Sequence, residues 1–332
     1  MNKIAIVTGI TGQDGSILCE LFLEQHYKVY GIKRRNSTEN LGNAAHLEKD
    51  IDIIEADISD LPSIQAIVKS TKPHLFINAA AQSHVGTSFE QPIYTSEVTG
   101  LGVLNCLEAI KISGIHTKFL QMSTSEMFGG AKCEKYTENS LLEPKSPYAA
   151  AKCFGHYMTK IYRESYNMFA STAICFNHEE PGRRGPNFVT RKITLGIANI
   201  IAGKIKHISL GNIDARRDWG KARDYCKGLL KILEHQVADD FILATGETHS
   251  VADFCKIAFR HAGLGDYKKY IKIDPKLYRP NEVEVLIGDA TKAKNILGWT
   301  SETSFDSLVK QMVNIDISLS TDSADIEMIK HY

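Results

Sequence analysis

The sequence predicts an α/β fold with a doubly wound parallel sheet, followed by a smaller α/β region. In the first half of the chain, short apolar runs alternate with segments of helical periodicity, as in parallel sheets covered by helices. A glycine-rich turn directly follows the first apolar run. With 332 residues, the chain is long enough for two domains and a large buried core.

The first six strands are predicted from apolar runs short enough to be buried on both faces of a sheet. These strands are Ile4–Val7, Lys28–Ile32, Ile51–Glu55, Leu75–Ile77, Phe119–Met122 and Ala170–Phe176. Helical periodicity fills the intervals, and a further helix follows the last strand. The helices are predicted through Leu18–Leu23 and at Leu61–Ser70, Val98–Ile112, Tyr148–Tyr166 and Val189–Ala202.

Composition and charge exclude several classes of function. The 39 Lys and Arg residues balance the 39 Asp and Glu residues, which argues against a general nucleic-acid binder. The seven cysteines are dispersed and the histidines form no ligand pattern, so we expect free thiols and no metal site. There is neither a signal-peptide pattern nor an apolar run of about 18 residues. We therefore expect a cytoplasmic protein without a membrane partner.

Gly9, Gly12 and Gly15 form a G-x-x-G-x-x-G motif between the first strand and the first helix. Glycine allows a tight turn there and lets the backbone approach a pyrophosphate, which the free N–H groups of the helix N-terminus attract. The motif predicts a dinucleotide site on a Rossmann sheet. The alternative is a turn in which three glycines are merely tolerated.

The end of the second strand bears on the choice between NAD and NADP. An acidic residue there would bind the ribose hydroxyls of NAD, but the strand ends in Lys33, Arg34 and Arg35. These cations favour the 2′-phosphate of NADP. The alternative is a solvated basic turn. Asp57, after the third strand, is placed to contact the adenine, and small residues at Ala79–Ala81 allow the cofactor to lie close to the backbone.

The regular alternation ends near Phe176, which predicts a boundary between domains. We assign residues 1–176 to an NADP-binding Rossmann domain, with a returning segment near 212–245. Residues 177–211 and 246–318 form the predicted substrate-binding domain. Residues 319–332 are a polar tail.

Tyr148 and Lys152 are four residues apart at the start of a predicted helix, so they share one face. A tyrosine of ordinary pKa, about 10, is a poor base at neutral pH. A lysine cation and an oxidised nicotinamide beside it would lower that pKa and create a usable phenolate. Thr124, at the end of the fifth strand, could bind the same substrate oxygen.

These motifs resemble the extended short-chain dehydrogenase/reductase superfamily and, within it, the GDP-mannose 4,6-dehydratase family. The resemblance covers about residues 3–313. The segments that carry it are Thr11–Ser16, Ala81–Val85, Ser123–Glu126, Ser146–Tyr148, Phe176–Glu179, Arg183–Gly185, Phe188–Ile193, Arg217–Gly220, Ala244–Glu247 and Tyr278–Pro280.

The resemblance implies an internal redox reaction on a nucleotide sugar. Tyr148 removes the proton of the hydroxyl at carbon 4 while hydride passes to NADP⁺. Glu126 then removes the acidified proton at carbon 5 and helps to expel the carbon 6 hydroxyl as water, and hydride returns to carbon 6. An elimination needs this added base. Extended backbone would place Thr124 and Glu126 on the same face.

The resemblance also implies the binding residues. For the cofactor these are Gly9, Thr11, Gly12, Gln13, Asp14, Gly15, Arg34, Arg35, Asn36, Asp57, Ile58, Ala79, Ala80, Ala81, Gln82, Tyr94, Tyr148, Lys152, His178, Arg183 and Arg184. For the GDP-sugar they are Ser83, Ser125, Asn177, Val189, Lys192, Gly211, Asn212, Arg217, Arg279 and Glu282.

In similar dehydratases the Arg-Arg-Gly loop reaches the neighbouring subunit's cofactor site, which favours a homotetramer here, with a dimer as the alternative. Gly182 is one extra residue before that loop. Three other functions stay open: dehydration of a GDP-linked heptose, a 4-keto reductase or epimerase, and a non-catalytic NADP sensor. Glu126 argues against the reductase or epimerase, and the full set of catalytic side chains argues against the sensor.

Overall fold

The computed structural model describes residues 3–38, 40–130 and 134–321. Within these residues, the strands are β1 (Ile4–Thr8), β2 (Lys28–Lys33), β3 (Asp52–Glu55), β4 (Leu75–Asn78), β5 (Lys118–Thr124), β6 (Ala170–Cys175), β7 (Asn177–Glu179), β8 (Ile208–Leu210), β9 (Arg216–Arg217), β10 (Trp219–Lys221), β11 (Asp240–Leu243), β12 (His249–Ser250) and β13 (Ile271–Ile273).

The α-helices alternate with these strands. They are α1 (Gln13–Glu24), α2 (Leu61–Thr71), α3 (Val85–Glu90), α4 (Pro92–Ser96), α5 (Gly102–Ser113), α6 (Pro147–Tyr166), α7 (Val189–Ile201), α8 (Ala222–Glu234), α9 (Val251–His261) and α10 (Phe305–Thr321). Short 3₁₀ turns lie at Gly42–Leu47, Ser125–Met127, Tyr267–Lys269 and Pro275–Leu277, and π-helical turns at Glu97–Leu101 and Ala293–Leu297.

A seven-stranded parallel sheet forms the centre of the fold, in the order β11-β6-β5-β4-β1-β2-β3. This confirms the predicted fold class and the six predicted strands. The seventh strand, β11, comes from the later part of the chain and pairs with β6. The strand order reverses direction between β1 and β4, where ligands bind in doubly wound sheets.

Side chains alternate between the two faces of the sheet, as the pleat of a strand requires. In β1, Ala5 and Val7 pack with α1 and α8, whereas Ile6 packs on the opposite face with α2 and α5. A separate core joins α7, α9 and α10 and includes the buried Trp219.

The division into two domains stays a prediction. Helix α10 continues to Thr321, past the start of the predicted tail, and residues 322–332 lie outside the described residues.

Candidate active site

A cavity of about 510 Å³ opens at the carboxyl ends of β1, β4 and β5. Its volume is in the range of small-molecule and cofactor sites. The sequence-predicted residues that line it are Gly9, Thr11, Gly12, Gln13, Asp14, Gly15, Arg34, Asp57, Ile58, Ala79, Ala80, Ala81, Ser83, Tyr94, Thr124, Ser125, Glu126, Tyr148, Lys152, Asn177, His178, Arg183 and Arg184. Residues from distant parts of the chain therefore meet at one site.

The glycine motif shapes one wall of this cavity. Gly9 has a φ of +68°, and a Cβ there would lie 2.9 Å from the Cα of Ala80. A Cβ on Gly15 would lie 2.3 Å from the carbonyl oxygen of Gly9. Gly12 precedes α1 in extended conformation without a side-chain cap, so N–H groups of the first turn are available to a ligand. This backbone cradle fits the pyrophosphate of a dinucleotide.

Thr8 fixes the cradle to the next strand. Its hydroxyl donates to the Asn78 side chain at 2.7 Å and accepts from the backbone N–H groups of Ala79 and Ala80 at 3.1 and 3.0 Å. Because Thr8 joins the ends of β1 and β4, the small residues after β4 are held against the glycine turn.

The three cations after β2 have different surroundings. Lys33 is buried and pairs with Glu55 at 2.7 Å. Arg34 lines the cavity, and its Nη1 donates to the Tyr94 hydroxyl at 2.6 Å. Arg35 and Asn36 are exposed and lie outside the cavity lining. One of the three predicted phosphate-binding cations therefore faces the cavity.

Helix α6 positions the predicted base. The Ser146 side chain caps the helix by accepting from the Ala149 N–H at 3.1 Å. Tyr148 and Lys152 follow one turn apart, are buried, and both line the cavity. Lys152 Nζ lies 5.8 Å from the centre of the Tyr148 ring and donates to the Met122 carbonyl at 2.7 Å.

Glu126 reaches the same cavity by a different route from the one predicted. The chain is not extended here: β5 ends at Thr124 and a 3₁₀ turn begins at Ser125. The Thr124 hydroxyl caps that turn by accepting from the Glu126 N–H at 3.2 Å. Both residues line the cavity, but the argument from strand alternation was wrong, because the chain turns between them.

The protonation states of Tyr148 and Lys152 follow from burial. Burial raises the pKa of Tyr148 above its ordinary value, and the charge of Glu126 adds to this effect, although a hydrogen bond with Thr124 opposes it. Burial lowers the pKa of Lys152 to about 8. In the chain alone, burial outweighs the predicted lowering of the Tyr148 pKa, so Tyr148 is a phenol.

Two arginines surround the Glu126 carboxylate. Arg279 Nη1 lies 3.3 Å and Arg217 Nε lies 3.9 Å from the same Glu126 oxygen. Arg217 Nη2 also lies 3.6 Å from Glu282. Three residues predicted to bind the GDP-sugar therefore cluster beside the predicted elimination base, although Arg217, Arg279 and Glu282 are not themselves part of the cavity lining.

A buried ion pair lies beside the glycine turn. His178 Nδ1 donates to the Phe176 carbonyl at 2.6 Å, and its Nε2 is 3.1 Å from Asp14. Burial disfavours the imidazolium, but the charge of Asp14 and these hydrogen bonds outweigh it and raise the pKa of His178. Burial likewise opposes ionisation of Asp14, and His178 nevertheless lowers its pKa. The two groups therefore stabilise each other's charged forms.

The arginine loop lies on the cavity of its own chain. Gly182 turns the backbone with a φ of +79°. Arg183 then donates to Ser16 at 3.1 Å and pairs with Glu20 at 2.7 Å. Arg184 pairs with Glu179 at 3.0 Å. The sequence led us to expect these arginines in a neighbouring subunit's site, and the tetramer built on that expectation stays a prediction.

The other sequence-predicted residues lie outside the cavity lining. Gln82 donates to the Thr95 hydroxyl at 3.0 Å, and Val189 begins α7. Burial lowers the pKa of the half-buried Lys192. A Cβ on Gly211 would lie 2.7 Å from the Leu277 carbonyl oxygen, and the Asn212 side chain accepts from the Asp214 N–H at 2.9 Å.

Eleven residues of the cavity lining are not among the site residues predicted from the sequence, and Asn43 and Phe188 are two of them. Asn43 donates to the carbonyl oxygen of Arg183 at 2.8 Å, and Phe188 lies under the Arg184 guanidinium at 3.7 Å. Asn43 follows Gly42, whose positive φ of +53° marks a turn that the Gly-Asn pair could have signalled. An aromatic residue after a loop gives no such signal.

The part of the chain that the structure describes contains no group of three or more His, Cys, Asp or Glu side chains placed to hold a metal ion. None of the helices in that part is long and apolar enough to cross a membrane.

A model of the family described as GDP-mannose 4,6 dehydratase matches residues 6–312. The chain belongs to this family. It is 42% identical to the human GDP-mannose 4,6 dehydratase over 343 residues, covering 96% of this chain and 92% of that protein. It is 44% identical to GDP-mannose 4,6 dehydratase 1 of Arabidopsis thaliana, covering 96% and 90%.

Solved structures in the neighbourhood of this family have the same fold. A UDP-glucose 4-epimerase of Thermotoga maritima with UDP-glucose aligns with a TM-score of 0.84 at 25% identity, covering 96% of this chain and 99% of that one. A dTDP-glucose 4,6-dehydratase of Bacillus anthracis with NAD gives 0.81 at 20% identity, covering 97% of each chain. A Pseudomonas aeruginosa protein named RMD with NADPH gives 0.80 at 21%, covering 96% and 100%.

Proposed function

We propose that the protein is an NADP-dependent lyase that removes water from GDP-mannose to give GDP-4-keto-6-deoxymannose. The observation that carries the proposal is the Glu126 carboxylate, which lines the same cavity as Thr124, Tyr148 and Lys152. A reductase or epimerase needs only the latter three residue types, whereas an elimination needs a second base. The family membership supports the same substrate class.

The cavity fits a nicotinamide dinucleotide. Gly9, Gly12 and Gly15 would leave room for the pyrophosphate, and Asp57 would contact the adenosine. Arg34, held by the Tyr94 hydroxyl, would pair with the 2′-phosphate of NADP, which is why we prefer NADP to NAD. When bound, the cofactor accepts hydride from carbon 4 and returns it to carbon 6 within one catalytic cycle.

The side chains of this chain perform the proton transfers. Tyr148, once ionised, removes the proton from oxygen 4, and the Thr124 hydroxyl holds that oxygen. Lys152 is a cation below pH 8 and stabilises the phenolate, since its Nζ lies 5.8 Å from the centre of the Tyr148 ring. An oxidised nicotinamide bound in the cavity would add to this stabilisation.

Glu126 then catalyses the loss of water. It takes the proton of carbon 5, which the neighbouring ketone acidifies, and passes it to oxygen 6, so that the carbon–oxygen bond breaks and water leaves. A proton returned to carbon 5 balances the one that Tyr148 removed from oxygen 4. The net change is the loss of one water, with no net oxidation.

We assign Arg217 and Arg279 to the diphosphate of the GDP-sugar. Their guanidinium groups lie next to the Glu126 carboxylate, and such groups bind phosphate oxygens in a forked geometry. We assign Lys192 to the same diphosphate and Val189 and Asn212 to the guanine, on the family resemblance.

We also propose a cytoplasmic homo-oligomer. Six described cysteines are buried free thiols, which suits a reducing compartment. Phe154, Tyr157 and Ile161 are exposed on one face of α6, and apolar side chains at this spacing favour contact with a second subunit. A tetramer is our first expectation and a dimer the second.

The proposal is tested with Tyr148→Phe and Glu126→Gln. We expect both variants to bind NADP, Tyr148→Phe to lose oxidation at carbon 4, and Glu126→Gln to slow water loss by roughly 100-fold or more. Tyr166→Phe, an exposed tyrosine at the other end of α6, is the matched control and should turn over normally.

Mass spectrometry of GDP-mannose incubated with each protein measures the loss of water. Near-normal turnover by Glu126→Gln would remove Glu126 from the mechanism. An unchanged mass with the wild-type protein would shift the assignment to a GDP-linked heptose, tested in the same assay. Failure on both substrates would favour a reductase or epimerase.

A further inference from the structure

Arg279 is paired with the catalytic carboxylate in the substrate-free chain. Its Nη1 donates to Glu126 Oε1 at 3.3 Å. The Glu126 side chain is 10% exposed, whereas that of Arg279 is 32% exposed. The pair therefore joins a buried base to a partly exposed arginine, which solvent and an incoming ligand can reach.

Arg217, the other arginine beside Glu126, is held more firmly. Its side chain is 7% exposed, its Nη1 donates to the Arg216 carbonyl at 2.9 Å, and its Nη2 faces Glu282. Its distance to Glu126, 3.9 Å, is also longer. Arg217 can thus bind a ligand without moving. Arg279 can bind another anion only by breaking its ion pair with Glu126.

We propose that Arg279 exchanges partners when substrate binds, leaving Glu126 for the diphosphate and thereby releasing the elimination base. This inference rests on the proposed function. A diphosphate carries more charge than a carboxylate and accepts two parallel hydrogen bonds from one guanidinium, so it competes for Arg279. Arg217 and Glu282 stay in place during the exchange.

The exchange gives Arg279 a role beyond affinity. Before substrate arrives, the ion pair compensates a buried carboxylate that would otherwise be costly. After the exchange, the Glu126 carboxylate is free to accept the proton of carbon 5. Binding of the diphosphate by Arg279 therefore couples the arrival of the sugar to the release of the Glu126 carboxylate.

A double-mutant cycle with GDP tests this inference, because GDP contains the diphosphate but lacks the hexose that would contact Glu126. Calorimetric GDP affinity is measured with saturating NADP for the wild type, Glu126→Gln, Arg279→Gln and the double variant. In the wild type, GDP must break the ion pair. We expect Glu126→Gln to bind GDP about tenfold more tightly, and this gain to fall below about twofold when Arg279 is absent.

Two controls separate the exchange from general electrostatics. Glu24→Gln removes an exposed carboxylate that pairs with Arg223, away from the cavity, and should leave GDP affinity unchanged. Arg279→Lys keeps the positive charge but loses the forked hydrogen-bonding geometry. In this background, the gain in GDP affinity from Glu126→Gln should lie between the gains measured with Arg279 and with Arg279→Gln.

The outcomes distinguish the inference from the function it rests on. An equal gain in both backgrounds, or no gain from Glu126→Gln, would overturn the exchange while leaving the dehydratase proposal intact. If the wild-type protein with NADP does not bind GDP at all, the GDP-sugar substrate itself is refuted.

Discussion

Lys152 is a buried cation in the wall of the cavity, and replacing it with methionine should stabilise the protein while removing its activity. The lysine residue is 5% exposed, and burial lowers its pKa from 10.5 to about 8. Methionine has a similar length and no charge. The Met122 carbonyl keeps a hydrogen bond from the Gln121 side chain at 2.7 Å, so the substitution leaves no orphaned acceptor.

The size of the effect follows from the pKa difference. The fall from 10.5 to about 8 corresponds to about 3.5 kcal/mol at roughly 1.4 kcal/mol per pKa unit. Below pH 8 both the folded and the unfolded chain carry the proton, so the buried charge destabilises the wild-type protein by this full amount. Between pH 8 and 10.5 the folded chain loses the proton first and the destabilisation declines. The advantage of Lys152→Met should therefore be about 3.5 kcal/mol at pH 7. It should vanish near pH 10.5.

Urea unfolding of the cofactor-free protein at pH 7 and at pH 10 measures this difference. Lys160→Met is the matched control, because Lys160 lies on the exposed face of the same helix; we expect a change within about 0.5 kcal/mol at both pH values. Turnover of Lys152→Met should fall roughly 100-fold or more. If Lys152→Met is no more stable than the wild type at pH 7, or if its advantage does not depend on pH, the buried charge of Lys152 does not destabilise the folded chain.

Three further predictions concern the cofactor, each measured as the NADP dissociation constant. Gly15→Ala should weaken NADP binding by roughly 100-fold, because its Cβ would lie 2.3 Å from the Gly9 carbonyl oxygen and displace N–H donors. A Cβ at Gly12 would lie 3.3 Å from the same oxygen, so Gly12→Ala should weaken NADP binding far less. Arg34→Ser should weaken binding of NADP by roughly tenfold or more and leave NAD unaffected. Affinity should fall as pH rises through the raised pKa of His178, because the uncharged imidazole leaves the Asp14 carboxylate uncompensated beside the phosphates. Equal losses from the two glycine variants, an equal loss of NAD and NADP affinity, or a flat pH profile would contradict these predictions in turn.

The sequence predicted the parts of the site that depend on local spacing. The glycine turn follows from three residues between a strand and a helix, and the Tyr148–Lys152 pair follows from one helical turn. Glu126 lines the cavity together with Thr124, but strand alternation was the wrong reason to expect this, because a 3₁₀ turn begins at Ser125.

Contacts between distant segments could not be predicted in this way. Arg279 meets Glu126 across 153 positions of sequence, and no periodicity indicates that distance. Likewise, three adjacent cations looked equivalent in the sequence, but Lys33 is neutralised by Glu55 on the next strand and only Arg34 of the three lines the cavity. Register between strands, which separates these cases, is set by tertiary packing.

In the proposed reaction, hydride moves from carbon 4 to carbon 6 of one sugar while one water is lost. The decisive measurement uses GDP-mannose labelled with deuterium at carbon 4, incubated with the protein and a trace of NADP⁺. We expect a product lighter by one water, with the deuterium at carbon 6 and no net change in NADPH. Deuterium that accumulates in the cofactor pool, or a product that retains the water, would contradict it.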